Sequence, residues 1–248
     1  MRIALISDIH GNLPALQAVL ADIARRGITQ IANLGDSLSG PLWPEETAVL
    51  LRQQSWPQLA GNHERQLLTQ HPSRMAASDR HARQQISPAT LQWLASLPPT
   101  YRMDEVLLCH GTPSSDLVYC METVTPTGCR MATPTELDAR LGQETARLIA
   151  CGHTHLPRTL RALDGRLVVN PGSVGLPAYD DDHPHFHLIE NGSPDARYAI
   201  VERLDHGWQV DLLALPYDFE SAAAQAARNG RPEWAHALRT GYALVSPT

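Results

Sequence analysis

The chain has 248 residues, 43% of them hydrophobic, enough to bury a sizeable core and read here as one domain over 1–248. A formal net charge of −6 with no Lys/Arg cluster excludes the electrostatic footprint of a protein built for extended nucleic acid. No apolar stretch approaches a bilayer span, and the N-terminal IALIS run is too short and wrongly flanked for a secretory segment, so the expectation is a cytoplasmic protein with no membrane partner.

RIALIS is a continuous apolar run that ends in a polar turn carrying Asp8 and His10. Leu13, Leu16, Val19, Leu20 and Ile23 follow at helical spacing, which predicts a buried strand, a loop and an amphipathic helix. The ITQIANL run ends at Gly35-Asp36 before a helix predicted over about 44–53, and SWPQLA ends at Gly61-Asn62-His63. VLLCH and RLIACGHTH repeat the pattern at His110 and at His153 and His155, with less helix between them. Every apolar run stops where candidate ligands start, and loops at the carboxyl ends of strands converge on one crevice in open α/β sheets.

A stretch over about 74–99, periodic in Ile86, Leu91, Leu94 and Leu97, is expected to cap the sheet as helix. Residues 111–146 are less regular. Thr112-Pro113, Thr125-Pro126 and Thr133-Pro134 mark turns or helix starts there, and the segment reads as an insertion at the site mouth. Strands are predicted near 159–162, 167–170, 185–190, 196–204 and 209–214, with hairpins at Asp164-Gly165, Asn191-Gly192 and His206-Gly207. Together they predict a meander forming a second sheet packed on the first. Helix over about 218–240, interrupted around Asn229-Gly230-Arg231-Pro232, closes the pattern.

Asp8, His10, Asp36, Asn62, His110, His153 and His155 combine imidazole nitrogen with carboxylate and amide oxygen. That mixture suits Mn, Fe, Zn, Ni or Co better than a thiolate site or an all-oxygen Mg/Ca site. The seven residues are too many for one ion and fit two if one carboxylate bridges. Two-metal centres polarise a phosphate and generate a hydroxide nucleophile at neutral pH, so the set points to phosphoester hydrolysis of a small phosphorylated substrate. Cys109 and Cys151 read as buried core thiols rather than ligands, which would want C-x-x-C spacing, and Cys120 and Cys129 are expected to stay unpaired. His183, His185 and His187 alternate along a strand and read as a solvated or rim-facing side rather than a second metal patch. Asp180, Asp181 and Asp182 read as an acidic turn, and Asn170, Gly172 and Ser173 stand open between a structural turn and a phosphate contact.

The motifs D-x-H at Asp8, G-D at Asp36, G-N-H-E from Gly61, C-H-G around His110 and G-H-T-H from Gly152 occur in one order, followed by NPGSVG from Asn170. In that order the chain resembles the calcineurin-like metallophosphoesterase superfamily, in particular its small bacterial phosphodiesterase and diadenosine-tetraphosphatase-like branch. The resemblance covers nearly the whole chain and implies an α/β fold, a four-layer α-β-β-α sandwich of two mixed β-sheets flanked by helices. It implies a first metal on Asp8, His10, Asp36 and His155 and a second on Asp36, Asn62, His110 and His153, bridged by Asp36. A water shared by the ions would attack in line while His63 protonates the leaving oxygen. Mn is the first choice of metal, with Fe, Zn, Ni or Co as alternatives. An acidic neighbour such as Glu64 is the expected support for a His63 imidazolium.

The protein Ser/Thr phosphatase branch carries G-D-x-x-D-R-G, whereas this chain has G-D-S-L-S-G-P, so the acidic partner and the phosphate-binding arginine of that motif are absent. The activity implied is hydrolysis of phosphomonoesters or phosphodiesters. A dinucleoside polyphosphate hydrolase would use the same centre on an anhydride, and a metal-binding regulatory or scaffold protein would keep the ligands without turnover.

Overall fold

Strand β1 (Arg2–Ile6) buries every residue after Arg2, as a strand covered on both faces must. A computed structural model describes residues 1–244; residues 245–248 of the expected domain lie outside the described residues. In β1, Ala4 and Ile6 face a helical layer while Ile3 and Leu5 face a second sheet. Asn12 caps α1 (Leu13–Arg25) by accepting the Ala15 N–H at 3.3 Å, and Leu16, Val19 and Ile23 turn inward at helical spacing. Then come β2 (Gln30–Asn33), α2 (Pro44–Arg52), α3 (Asn62–Thr69), α4 (Ala77–Gln85) and α5 (Pro88–Ser96). The middle of the chain forms β3 (Thr100–Met103), β4 (Val106–Cys109), β5 (Glu122–Thr125), β6 (Gly128–Met131), α6 (Pro134–Leu141) and β7 (Leu148–Ala150). The remainder is β8 (Arg158–Arg161), β9 (Leu167–Asn170), β10 (Ala178–Asp181), β11 (His187–Glu190), β12 (Ala196–Leu204), β13 (Gly207–Leu215), α7 (Phe219–Arg228) and α8 (Pro232–Thr240).

Two mixed sheets, ordered β13-β12-β1-β2 and β3-β4-β7-β9-β8, form the centre. Ile3, Leu5, Val106, Leu108, Leu148 and Val169 interlock between them. The alternate residues of the same strands point outward: Ala4 and Ile6 pack on Leu16, Leu51 and Leu94 of the helices, while Leu107, Ile149 and Val168 pack on Leu137 and Leu141 of α6. The layers therefore run helix, sheet, sheet, helix, the sandwich that the motif order implies. Cutting a fully buried inter-sheet side chain, as in Leu5→Ala, should cost about 2–5 kcal/mol. Among the described residues no helix is long and apolar enough to cross a membrane.

The strands carrying the candidate ligands do not belong to one open sheet, contrary to the sequence reading. β1 and β2 lie in the first sheet and β4 and β7 in the second, so the crevice forms where strand ends of two packed sheets meet. SWPQLA makes only a bridge from Gln58 to Asn33, since Pro57 has no N–H to donate to a ladder. The later strands are also no single meander. β8 and β9 extend the second sheet, β12 and β13 join β1 in the first, and β10 pairs with β11 alone. Turn chemistry fixes only local pairing. Hairpins do form at Asp164-Gly165 and His206-Gly207, but Asn191-Gly192 leads out of β11 towards a different sheet. Asp180 and Asp181 are strand residues of β10 rather than a turn. The segment 111–146 supplies the β5–β6 hairpin and α6, whose Thr133 and Glu136 cap each other's backbone.

Candidate metal centre

The loops after β1, β2, β4 and β7 carry Asp8 and His10, Asp36, His110, and His153 and His155, and Asn62 opens α3. Asp8, His10, Asp36, His153 and His155 all adopt φ between 52° and 69°. A left-handed backbone costs a non-glycine residue about 1–3 kcal/mol, and it persists only where the surroundings over-determine it. Loop-to-loop bonds do so here: Asp8 N–H donates to Gly35 O at 3.0 Å, His10 N–H to Asp36 O at 3.0 Å, and Gly152 N–H to His110 O at 2.7 Å. Two motif glycines let these loops close. A Cβ on Gly61 would lie 2.3 Å from Asp36 Oδ1, and one on Gly152 would lie 2.8 Å from Asp8 Oδ2.

Ligand atoms of Asp8, His10 and His155 lie within 4.8 Å of one another, and so do those of Asp36, His110 and His153. Asn62 Oδ1 is 3.0 Å from His110 Nε2, which attaches it to the second group. Hydrogen-bond bookkeeping fixes which atoms are free to bind a cation. His10 Nδ1 donates to Ser39 O at 2.7 Å and His155 Nδ1 to Leu176 O at 2.7 Å, because a carbonyl only accepts. Their Nε2 atoms therefore face each other, 3.1 Å apart, as the atoms left to share a proton or a metal. Asp8 Oδ1 beside them is buried with no hydrogen-bond partner. Such a cluster of acceptors is repulsive unless a proton or a metal sits among them. His110 Nδ1 likewise donates to Leu34 O at 2.9 Å, directing Nε2 at Asn62 and Asp36. His153 Nε2 donates to Leu117 O at 3.1 Å and leaves Nδ1 as its ligand atom.

The electrostatics agree with a site that wants cations. Burial and the neighbouring His155 push His10 down to about 3, and burial with the charge on His110 takes His153 down to about 4. His110 goes the other way. Burial would lower it, but the Asp36 charge and hydrogen bond raise it to about 10. A divalent ion on the second group would take the place of that proton, as metal binding at imidazole does generally. Mixed imidazole, carboxylate and amide donors, all unprotonated or replaceable, fit transition-metal ions.

His63 stands beside this centre. Its N–H donates to Asp36 Oδ1 at 3.0 Å, its ring lies edge-on to His10 with centroids 5.5 Å apart, and its side chain is 24% exposed. Nδ1 lies 2.8 Å from Oδ1 of Asp79, a residue of α4 that is 1% exposed. Burial opposes its charge, but Asp36 and the Asp79 hydrogen bond raise it to about 9. Asp79, not Glu64, is thus the contacting acid. Glu64 is turned inward, where it accepts N–H groups of Asp36 at 2.8 Å, Ser37 at 2.9 Å and Gly61 at 2.8 Å, tying the G-D loop to the G-N-H-E loop. The sequence carried one signal for Asp79: it shares the inner face of α4 with Ala82 and Ile86, where a carboxylate needs a reason to be buried.

The remaining singled-out residues separate cleanly. Asn170 donates to Gly152 O at 2.7 Å and Thr154 Oγ1 at 3.0 Å, and Ser173 Oγ donates to Asp8 O at 2.7 Å. NPGSVG therefore spends its polar groups bracing the ligand loops, which decides for the structural turn. His183 is solvated, with 92% of its side chain exposed, whereas His187 is buried and its Nε2 lies 3.0 Å from the Tyr119 hydroxyl. That corrects the solvated reading for His187: it faces the insertion instead. Cys109, Cys120 and Cys151 are buried, Cys129 is half-buried, and all four are free thiols. A cleft of about 1210 Å³ opens over the two ligand groups, walled by Gln66, Ser78 and Trp234 from the helices and by Thr123, Arg140 and Tyr179 from the insertion and β10.

Residues 1–192 match the model of the calcineurin-like phosphoesterase superfamily domain. A metallophosphoesterase structure from Sphaerobacter thermophilus is 26% identical, covers 97% of this chain and 99% of its own, and superposes with a TM-score of 0.75. A hypothetical protein from Pyrococcus horikoshii shares the fold at 17% identity and a TM-score of 0.73, covering 97% of this chain and 98% of its own. An uncharacterized protein of Methanocaldococcus jannaschii is 27% identical over 255 residues, with 94% of each chain covered.

Proposed function

The chain belongs to the calcineurin-like phosphoesterase superfamily, and we propose that it hydrolyses phosphomonoesters or phosphodiesters with two bound divalent metal ions and His63 as general acid. The observation that carries this reading is the pair of His/Asp ligand clusters, with His10 Nε2 facing His155 Nε2 at 3.1 Å in the first, set beside an imidazole paired to a buried carboxylate. Asp8, His10 and His155 would hold one ion and Asn62, His110 and His153 the other, with Asp36 shared between them. When bound, such ions polarise phosphoryl oxygens and acidify water. Mn is the metal proposed first.

The chain's own residues supply the rest. Asp79 accepts from His63 Nδ1 and so leaves Nε2 to carry the transferable proton. His63 sits at the rim rather than inside either ligand group, so a leaving oxygen can reach it. A small phosphorylated substrate is the proposed partner. The cleft of about 1210 Å³ exceeds what a phosphomonoester of small size fills, which supports a substrate with a sizeable organic group beside phosphorus. The same width supports a dinucleoside polyphosphate as the second reading.

Mn-loaded protein should be assayed on an aryl phosphate and on a bis-aryl phosphodiester. Turnover of either compound supports the reading, and the ratio of the two kcat/KM values assigns the preference between monoester and diester. Two tightly bound metals without turnover of either compound would favour a metal-binding regulatory or scaffold protein instead.

A further inference from the structure

Both ligand histidines of the G-H-T-H loop have left-handed backbones, with φ 69° at His153 and 58° at His155, and the carbonyl of each receives a side-chain donor from one neighbouring segment. Asn191, directly after β11, points Nδ2 at His155 O, 3.0 Å away, and at Pro177 O, 2.8 Å away. An amide nitrogen has two hydrogens, so the two carbonyls use both. Tyr179 on β10 gives its hydroxyl to His153 O at 3.3 Å, and its ring lies edge-on to His155 with centroids 4.7 Å apart. The hairpin β10–β11 joins neither large sheet. None of these groups takes part in the chemistry derived above.

A residue held at positive φ relaxes by rotating its peptide planes, which swings its carbonyl. Pinning the carbonyl opposes that rotation and keeps the imidazole aimed. We propose that Asn191 and Tyr179 are positioning residues that split the support of the centre: Asn191 acts on the first ligand group through His155, and Tyr179 acts on the second through His153. The proposal rests on the reading of the site as a dinuclear metal centre.

The two holds are unequal. His187 Nδ1 donates to His185 O at 2.8 Å, so its Nε2 accepts the Tyr119 proton at 3.0 Å. Tyr119 can then only accept from Tyr179, whose hydroxyl is 2.7 Å away. The single Tyr179 proton is therefore contested between Tyr119 and His153, whereas Asn191 has a hydrogen for each of its carbonyls. Loss of the Asn191 amide should cost more.

The test is stepwise Mn binding to the full chain by calorimetry, with metal content per chain measured in parallel. Asn191→Ala should weaken one of the two steps by about 10–100-fold, the usual cost of losing a group that orients a ligand, and leave the other unchanged. Asn191→Asp, which turns acceptors towards two carbonyls, should do at least as much. Tyr179→Phe should weaken the opposite step by a smaller factor. In a His10→Ala background, where the first group is already broken, Asn191→Ala should make no further difference. Unchanged binding in both Asn191 variants, equal weakening of both steps, or an undiminished effect in the His10→Ala background overturns the proposal. Wild-type protein that takes up fewer than two Mn ions overturns the dinuclear reading itself, and the proposal with it.

Discussion

His63 Nδ1 and Asp79 Oδ1 are 2.8 Å apart, joining a rim imidazole on α3 to a carboxylate buried under α4. Because the carboxylate accepts, the pair fixes the ring orientation and favours the imidazolium. The folded value for His63 is raised from 6.5 to about 9, so the acid form persists through neutral pH and is lost as pH rises through that value in metal-free protein. Cations beside Asp36 would cancel that residue's share and bring the loss to lower pH, leaving Asp79 as the main support, with a smaller share from Glu64. Asp79→Asn should therefore shift the basic limb of the kcat–pH profile to lower pH and leave its acid limb in place. A profile superimposable on the wild type would remove Asp79 from the mechanism.

Replacing His63 itself tests the acid role. His63→Ala should keep both metals and lose about 10²–10⁴-fold in rate on esters with poor leaving groups. Esters whose leaving group is a weak base need little protonation, so their loss should be much smaller. The measurement is a series of aryl esters of graded leaving-group pKa. Equal slowing across the series, or an emptied metal site, would make His63 a substrate-positioning or ligand residue.

The two ligand groups are separable in principle. Alanine at His10 or His155 should preferentially deplete one ion, and alanine at His110 or His153 the other, read from metal content and anomalous density. Equal loss of both ions in all four variants would leave the partition without support.

The gathering of the candidate ligands was legible in the sequence because most of the apolar runs end in a loop, and the strand-end rule holds whichever sheet the strand joins. Sheet membership was not. β1 and β4 are both continuous apolar runs, and nothing in Ile3-Ala4-Leu5-Ile6 or Val106-Leu107-Leu108-Cys109 states which neighbour each will pair with. Asp79 escaped for a related reason. It lies 16 residues beyond His63 on another helix, and the contact depends on how α3 and α4 pack. Glu64 does help raise His63, but through its charge alone and less than Asp36 or Asp79: on a helix successive side chains diverge, and Glu64 points back at the amides of Asp36 and Ser37.

Gly61 offers a steric test of the same loops. Its backbone is extended, with φ −88° and ψ −170°, so alanine meets no torsional objection there. The obstacle is contact, since its Cβ would lie 2.3 Å from Asp36 Oδ1. Gly61→Ala should destabilise the fold by about 1–3 kcal/mol, as overpacking usually does, and displace Asp36 enough to weaken metal binding. Wild-type metal affinity and melting temperature in this variant would show that the two loops are not closed as tightly as the geometry states.

Asp36 is the residue on which both halves of the site converge. One carboxylate oxygen accepts the His63 N–H at 3.0 Å, and the other lies 3.0 Å from His110 Nε2. Its charge is also the largest influence raising both His63, to about 9, and His110, to about 10. Asp36→Asn keeps the shape and removes the charge. In metal-free protein both imidazoles should then titrate at lower pH than in the wild type, which histidine NMR shifts would record without any assay of activity. In the presence of Mn the same variant should lose affinity at both ligand groups, because a shared carboxylate is what offsets the repulsion between two close cations. Turnover should fall by more than the about 10–100-fold typical of changes one layer away from the metal. If Asp36→Asn retains two tightly bound metals and a near-native rate, the shared-carboxylate assignment fails. If the two histidines titrate unchanged, the electrostatic account of His63 fails with it.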